Sequence, residues 1–274
     1  NNMTVDGITT AGNAFAPGGF GAGIDLATTG AYCLPAGIDG FTLTGTINIG
    51  EATKIYSEKT DAAQVITGLT GTGLTWAVGI GSLNRYYFAT KADAYIAAAA
   101  LFDAPYNTPP SAVYVVEIAT EDYYVDDAPN GDNTPPMSIN AAIGYQAVGG
   151  KILIEEGTFI ENVVASKRLT IQGAGTANTF LNGAGTIVQL AAGTSNTDRT
   201  VLKDLTISGG VTGLTAGSYT TVDNVISTGN SSYGINLNPL TDLVLTNSSF
   251  TANNVGLKLA STASVSNISI TGCH

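Results

Sequence analysis

Lys203 and Asp223 are the residues whose types and spacing point most directly to chemistry. They occupy one offset in two similar segments, "VLKDLTIS" and "TVDNVIST", so a fold with a twenty-residue repeat brings a cation and a carboxylate together. Such a pair can act as a base with its counterion, or it can be a surface ion pair contributing at most about 1 kcal/mol. A second cluster, "DDAPNGDN", places Asp126, Asp127, Asn130, Asp132 and Asn133 within eight residues. Oxygen ligands at that density suit Ca²⁺; the loop lacks the distal bidentate Glu of an EF-hand, and the same composition also builds solvated turns. No grouping of His and Cys supports zinc, because the sole histidine is His274 and the two cysteines, Cys33 and Cys273, lie far apart. The cysteines can form one long-range disulfide or remain two thiols.

The elements that would position Lys203 and Asp223 repeat along the chain. Beyond Gly150 five segments align: "RLTIQGA" from Arg168, "DLTISGG" from Asp204, "NVISTGN" from Asn224, "NSSFTAN" from Asn247 and "NISITGC" from Asn267. The intervals are 36, 20, 23 and 20 residues, the first of them long enough for a longer coil or an inserted loop. The fourth position holds Ile171, Ile207, Ser227, Phe250 and Ile270, and a second strand follows in "TIVQL", "YGINL" and "VGLKL". A period near 20 residues holding two or three short strands, with no room for a crossover helix, predicts a parallel β-helix. Stacked coils would place Lys203 beside Asp223. They would also align Asp204, Asn224, Asn247 and Asn267 as a ladder of side-chain amides along the axis.

Upstream, the text differs. "GFTLTGTINIG" and "SAVYVVEIA" alternate like strands and "KADAYIAAAALFDA" has helical composition, so residues 1–125 read as a smaller mixed or β-rich domain. Residues 126–137 concentrate turn formers as a linker, and Pro135 and Pro136 forbid helix before Met137 or Ser138. Ser138 is the expected N-cap of a helix through Ala147 that plugs the base of the solenoid, burying Ile139, Ala142, Ile143 and Ala147. "KILIEEGTFIENV" is the expected first coil, with Ile152 and Ile154 pointing inward.

Bulk composition narrows the partners. With 21 acidic against 10 basic residues, the net charge of -11 repels a phosphate backbone, which makes nucleic acid and an anionic membrane poor candidate partners. The longest apolar run, "AYIAAAALF", is too short to span a bilayer. Sequons at Asn2, Asn230, Asn247 and Asn267 read as chance matches in a chain rich in Asn, Ser and Thr.

The stretch from Tyr123 to Val163, "YYVDDAPNGDNTPPMSINAAIGYQAVGGKILIEEGTFIENV", followed by "RLTIQGAGTANTFLNG", resembles the leader of right-handed parallel β-helix proteins of the pectin-lyase-like superfamily. The resemblance implies a right-handed, single-stranded β-helix with an N-terminal capping helix over 138–274. It is closest to secreted and surface β-helix repeat proteins and to the N-terminal part of pectinesterases. The pectinesterase motifs rich in Gln, Asp and Phe, and the Gly-Arg-Pro-Trp run, are missing: the only tryptophan is Trp76. Polygalacturonase-like hydrolysis needs converging carboxylates with His and basic residues, whereas the coils offer only Asp198, Asp204, Asp223 and Asp242. A lyase asks for less, a calcium-bound uronate and one basic side chain, for which Lys203 with Asp223 is the candidate.

The chain ends within a unit, which reads as a fragment of a longer array or as an end completed by another chain. The expected function is therefore a non-enzymatic extracellular or cell-surface module, structural or adhesive, whose Thr, Asn and Ser rows contact glycans or other subunits. The alternatives are a lyase-like enzyme acting on acidic glycans and a phage or viral tail spike.

Overall fold

Short runs of alternating apolar and polar residues, broken by Gly, Asn and Asp, become strands and corners in the computed structural model. It describes residues 2–11, 22–26, 40–49, 53–57, 65–67, 73–81, 84–102, 107–127, 136–237, 241–259 and 266–274. The chain divides into two units, residues 1–121 with 129–135 and residues 122–128 with 136–274.

In the first unit β1 (Asn2–Thr10), β3 (Gly40–Ile49) and β5 (Val65–Thr67) form a parallel sheet. β2 (Ala22–Leu26) pairs in parallel with β4 (Thr53–Ser57), so successive strands alternate between two sheets. β4 then pairs antiparallel with β7 (Asn84–Phe88), β7 with β6 (Trp76–Ile80) and β6 with β8 (Val113–Glu117). α1 (Lys91–Phe102) packs on β6, β7 and β8. Its start is capped by Thr90, whose Oγ1 accepts from the Asp93 amide at 3.1 Å, and it buries Ala94, Ala98, Leu101 and Phe102.

The second unit is a β-solenoid of about five turns built from parallel strands. Each coil has three strand positions. The first is filled by β9 (Asp122–Val125), β10 (Lys151–Ile154), β13 (Thr170–Gly173), the leading halves of β16 (Thr200–Ser208) and β18 (Thr220–Thr228), β20 (Thr241–Thr246) and β22 (Ser266–Thr271). The second is filled by β11 (Gly157–Ile160), β14 (Thr179–Asn182) and the trailing halves of β16 and β18. The third is filled by β12 (Val163–Ala165), β15 (Thr186–Leu190), β17 (Thr212–Ala216), β19 (Tyr233–Leu237) and β21 (Val255–Leu259). The parallel ladder thus takes in Asp122–Val125, which the sequence reading assigned to the N-terminal domain.

In-register pairing stacks like on like in the interior. One core column runs Tyr123, Ile152, Ile171, Leu202, Val222, Leu245 and Ile270. Another runs Phe159, Leu181, Ile207, Ser227. Ile152 and Ile154 point inward as expected. The fourth-position alignment read from sequence therefore mixes two columns, because Ile171 and Ile270 lie in the first strand position while Ile207 and Ser227 lie in the second. Both strands carry the same alternation, so their sequence patterns are interchangeable.

α2 (Ile139–Tyr145) packs on β9, β10 and β12. Ser138 is its N-cap, with Oγ accepting from the Ala141 amide at 3.2 Å. Ile139, Ala142 and Ile143 are buried, but Ala147 is exposed. The helix ends at Tyr145, and Gln146, at ψ 145, turns its side chain inward in place of Ala147. That side chain is satisfied by donating to the Lys151 carbonyl at 2.9 Å and accepting from the Ala147 amide at 2.7 Å.

Candidate functional site

Lys203 and Asp223 are register partners on adjacent coils, on the outward side of the first strand position. Their side chains are not joined as a closed ion pair. Lys203 Nζ lies 4.0 Å from Asp204 Oδ2, whereas Asp223 Oδ1 accepts from Thr246 Oγ1 at 2.6 Å and from Asn247 Nδ2 at 2.9 Å. Those two hydrogen bonds, led by Thr246 and helped by the Lys203 charge, hold the Asp223 carboxyl below its ordinary value against the opposing effect of burial. Asp204 is committed as well, accepting from Asn224 Nδ2 at 2.9 Å and Gln172 Nε2 at 3.0 Å. A general acid for a glycosidic oxygen needs a raised pKa. Asp223 is shifted the other way.

The same corner corrects the ladder expected over Asp204, Asn224, Asn247 and Asn267. Asn224 does reach Asp204 along the axis, but Asn247 reaches Asp223. Asn267 is not in that column at all: β22 aligns Thr241 with Ser266 and Leu243 with Ile268, which sets Asn267 over Asp242. Gly272 instead follows Thr271, the register partner of Thr246, and so stands over Asn247. What the corner positions share is backbone conformation. Asp204 (φ 61), Asn224 (φ 51), Asn247 (φ 51) and Gly272 (φ 64) form one left-handed column, and Tyr219 (φ 54), Asp242 (φ 63) and Asn267 (φ 55) form a second, five residues earlier in the coil. Asp, Asn and Gly tolerate that region best. Two corners with the same preference make a five-residue slip invisible in sequence.

A hydrogen-bonded Asn ladder does exist, at the seventh position of the same units. Asn230 is buried and its Oδ1 accepts from the Gly210 amide at 3.1 Å. Its own amide and Nδ2 donate to Asn253 Oδ1 at 2.9 and 3.0 Å, and Nδ2 also donates to Ser227 Oγ at 3.1 Å. Asn253 Nδ2 closes the network on the Ser227 carbonyl at 2.8 Å. Room for it comes from a column of glycines in the third strand position. A Cβ at Gly213 would collide with Ser227 Oγ, and one at Gly234 would stand 2.6 Å from Asn253 Nδ2. The signal was present in "TGN" and "TAN" at matching offsets.

Of the expected calcium ligands, Asn130 and Asp132, with Asn133, lie outside the described residues. Asp127 serves the first coil: its Oδ2 accepts from the Thr158 amide at 2.8 Å, and Gly157, at φ 144, has no room for a Cβ because the Asp127 carboxylate stands there. The Asp126 carbonyl accepts from the Met137 amide at 2.9 Å. Among the described residues no group of three or more His, Cys, Asp or Glu is placed to hold a metal. Cys273 is a free thiol, and Cys33 lies outside the described residues. Of the sequons, Asn230 and Asn247 have their side chains in the hydrogen bonds above, Asn267 is exposed, and the Asn2 side chain lies outside the described set.

The turn "GTFIEN" has a structural duty. Glu161 accepts from Ser138 Oγ at 2.7 Å and from the Ile139 and Asn140 amides at 2.8 and 3.1 Å, which places its carboxylate on the unpaired donors at the start of α2. Lys167 Nζ takes the other end, donating to the Gly144 and Gln146 carbonyls at 3.0 and 2.6 Å. Charged side chains of the first coil thus hold both ends of the helix. Arg168 and Arg199 continue the pattern by pairing with Asp198 and Asp242.

No helix among the described residues is long and apolar enough to cross a membrane. Neither a protein-family model nor a curated protein matches the chain.

Proposed function

We propose that the chain is a non-enzymatic structural or adhesive module of an extracellular or cell-surface protein. A rigid β-solenoid presents rows of Thr, Asn and Ser to glycans or to other subunits. The observation that carries this reading is the commitment of the coil carboxylates to coil-to-coil bonds. Asp204 and Asp223 saturate neutral donors of the neighbouring coils, and Asp198 and Asp242 pair with arginines. A carboxyl held below its ordinary value by hydrogen bonds to the next coil stabilises a surface better than it transfers protons. The outward face supports the presenting role. The third strand position lines up Gln189, Thr215, Asn236 and Lys258 one above another, a polar row at the spacing of successive strands.

The test is incubation of the whole chain with uronate polymers and neutral polysaccharides, with and without Ca²⁺, followed by assays for unsaturated products and new reducing ends. The expected result is no product, with retention on a glycan array that weakens in Asn236→Ala and Lys258→Ala. Cleavage that disappears in Lys203→Ala would overturn the reading in favour of a lyase.

A further inference from the structure

The corner from the third strand position back to the first takes only residues 166–169 between β12 and β13, and residues 217–219 between β17 and β18. Between β15 and β16 the same corner takes residues 191–199. The path of the chain does not require that length, because the shorter corner makes the same connection one coil later.

The long corner is held at its foot by bonds that reach across coils. The Thr194 amide donates to the Asp198 carbonyl at 2.9 Å. The Asp198 carboxylate accepts from Thr194 Oγ1 and pairs with Arg168 at 2.9 Å. Arg199 Nε donates to the Asn196 carbonyl at 2.9 Å, and its guanidinium reaches the Thr220 carbonyl at 3.2 Å and the Asp242 carboxylate beyond it. Gly193 donates to the Ser218 carbonyl at 2.9 Å, and a Cβ there would stand 2.5 Å from the carbonyls of Asp198 and Tyr219. The foot is thus ordered by the fold itself, and a partner meeting the loop has less freedom left to remove. The tip is different in character. Thr194, Asn196 and Thr197 are exposed, and the tip from Thr194 to Thr197 carries no charge.

Two neighbouring features point the same way. Tyr219, against whose carbonyl Gly193 sits, is half-buried at φ 54, the only aromatic among the described non-glycine residues in the left-handed region. The column it shares with Asp242 and Asn267 otherwise uses residues that tolerate this conformation, and such strain is kept where the side chain has a use. The loop also leaves β15 just after Gln189 and lies against residues 217–219, which leave β17 just after Thr215. It therefore borders the row of Gln189, Thr215 and Asn236, on strands that carry no charged residue from Val163 to Leu237.

We propose that the loop of residues 191–199, with Tyr219, is a contact site for a neutral glycan lying on the Gln189–Thr215–Asn236 row. This deepens the adhesive-module reading above and rests on it. Amides and hydroxyls donate and accept as sugar hydroxyls do, and a tyrosine adds broad contact at little cost in side-chain freedom. Charge selects among glycans: a chain of net charge -11 repels a uronate polymer, whereas an uncharged tip and row leave a neutral one unopposed.

The test is retention of the whole chain on an array of neutral oligosaccharides beside one of uronate oligosaccharides. The variants are Asn196→Ala combined with Thr197→Ala, and Tyr219→Asn. The expected result is retention on neutral members alone, weakened at least about tenfold by each variant. The tip variant should keep the urea midpoint of the unsubstituted chain, and Tyr219→Asn should raise it, because Asn tolerates the left-handed backbone. Ile160→Thr, at a position 83% exposed in the second strand position, should leave retention unchanged. Retention that survives either loop variant, retention confined to uronates, none on any member, or an equal loss in Ile160→Thr would each overturn the proposal. Retention that survives the loop variants but weakens in Asn236→Ala leaves the adhesive reading standing without the loop. Cleavage of uronate polymers would instead overturn that reading itself.

Discussion

Two corners of the solenoid use the same residue type for different work. At the corner of Asp204, Asn224 and Asn247, the side chains are partly or largely open to solvent and the shared property is a left-handed backbone. At the corner of Asn230 and Asn253, the side chains fill otherwise unpaired backbone groups inside the stack, and a column of glycines makes way for them. In the first, asparagine is chosen for its φ; in the second, for its donors and acceptor. Burial makes the difference. An exposed amide that loses a partner finds water, while a buried one leaves its partners unsatisfied.

That contrast can be broken by substitution. Asn230→Ala removes the acceptor of the Gly210 amide and a donor to Asn253, and should destabilise the chain by about 3 kcal/mol, read as a lowered urea midpoint. Asn224 should behave differently. Asn224→Ala should lose about 1 kcal/mol for the left-handed backbone, and Asn224→Gly should recover most of it although it also lacks the hydrogen bond to Asp204. If Asn224→Gly is as damaging as Asn224→Ala, the amide rather than the backbone governs that corner.

The smallest effect belongs to Asp223. Its carboxyl is held below the ordinary value in the folded chain, so its contribution is present above about pH 4, the unfolded value, and fades as the pH falls through the lower folded one. Asp223→Asn should flatten the stability curve below about pH 4 and change the midpoint at neutral pH by at most about 0.5 kcal/mol, as expected for a group open to solvent. A curve as steep as that of the unsubstituted chain would show that other carboxyls set the acid limb.

Much of the fold was legible because a solenoid writes its period into the sequence. The capped start at Ser138, the inward Ile152 and Ile154 and the pairing of Lys203 with Asp223 all follow from local propensity or from a twenty-residue offset. The register of the last coil was not legible. Its Asn267 satisfies either of two corners five residues apart, and only the pairing of Thr241 with Ser266 chooses between them. Ala147 failed for a related reason. Helical spacing predicts its burial, but the chain leaves the helix at Gln146, and the polar side chain is the one that turns in.

The roles of the charged residues show the same division. Nothing local shows what Glu161 binds until α2 is seen to place its first amides on it. Sequence alone determined the parallel coil, its repeat and the acid-poor final stretch, since strand period, turn residues and charge are properties of neighbours along the chain. Tertiary structure alone decided which corner each Asn occupies and which carboxylates are spent on hydrogen bonds. Those outcomes depend on what the next coil places 20 to 25 residues away, and a pattern repeated at several offsets cannot select one of them.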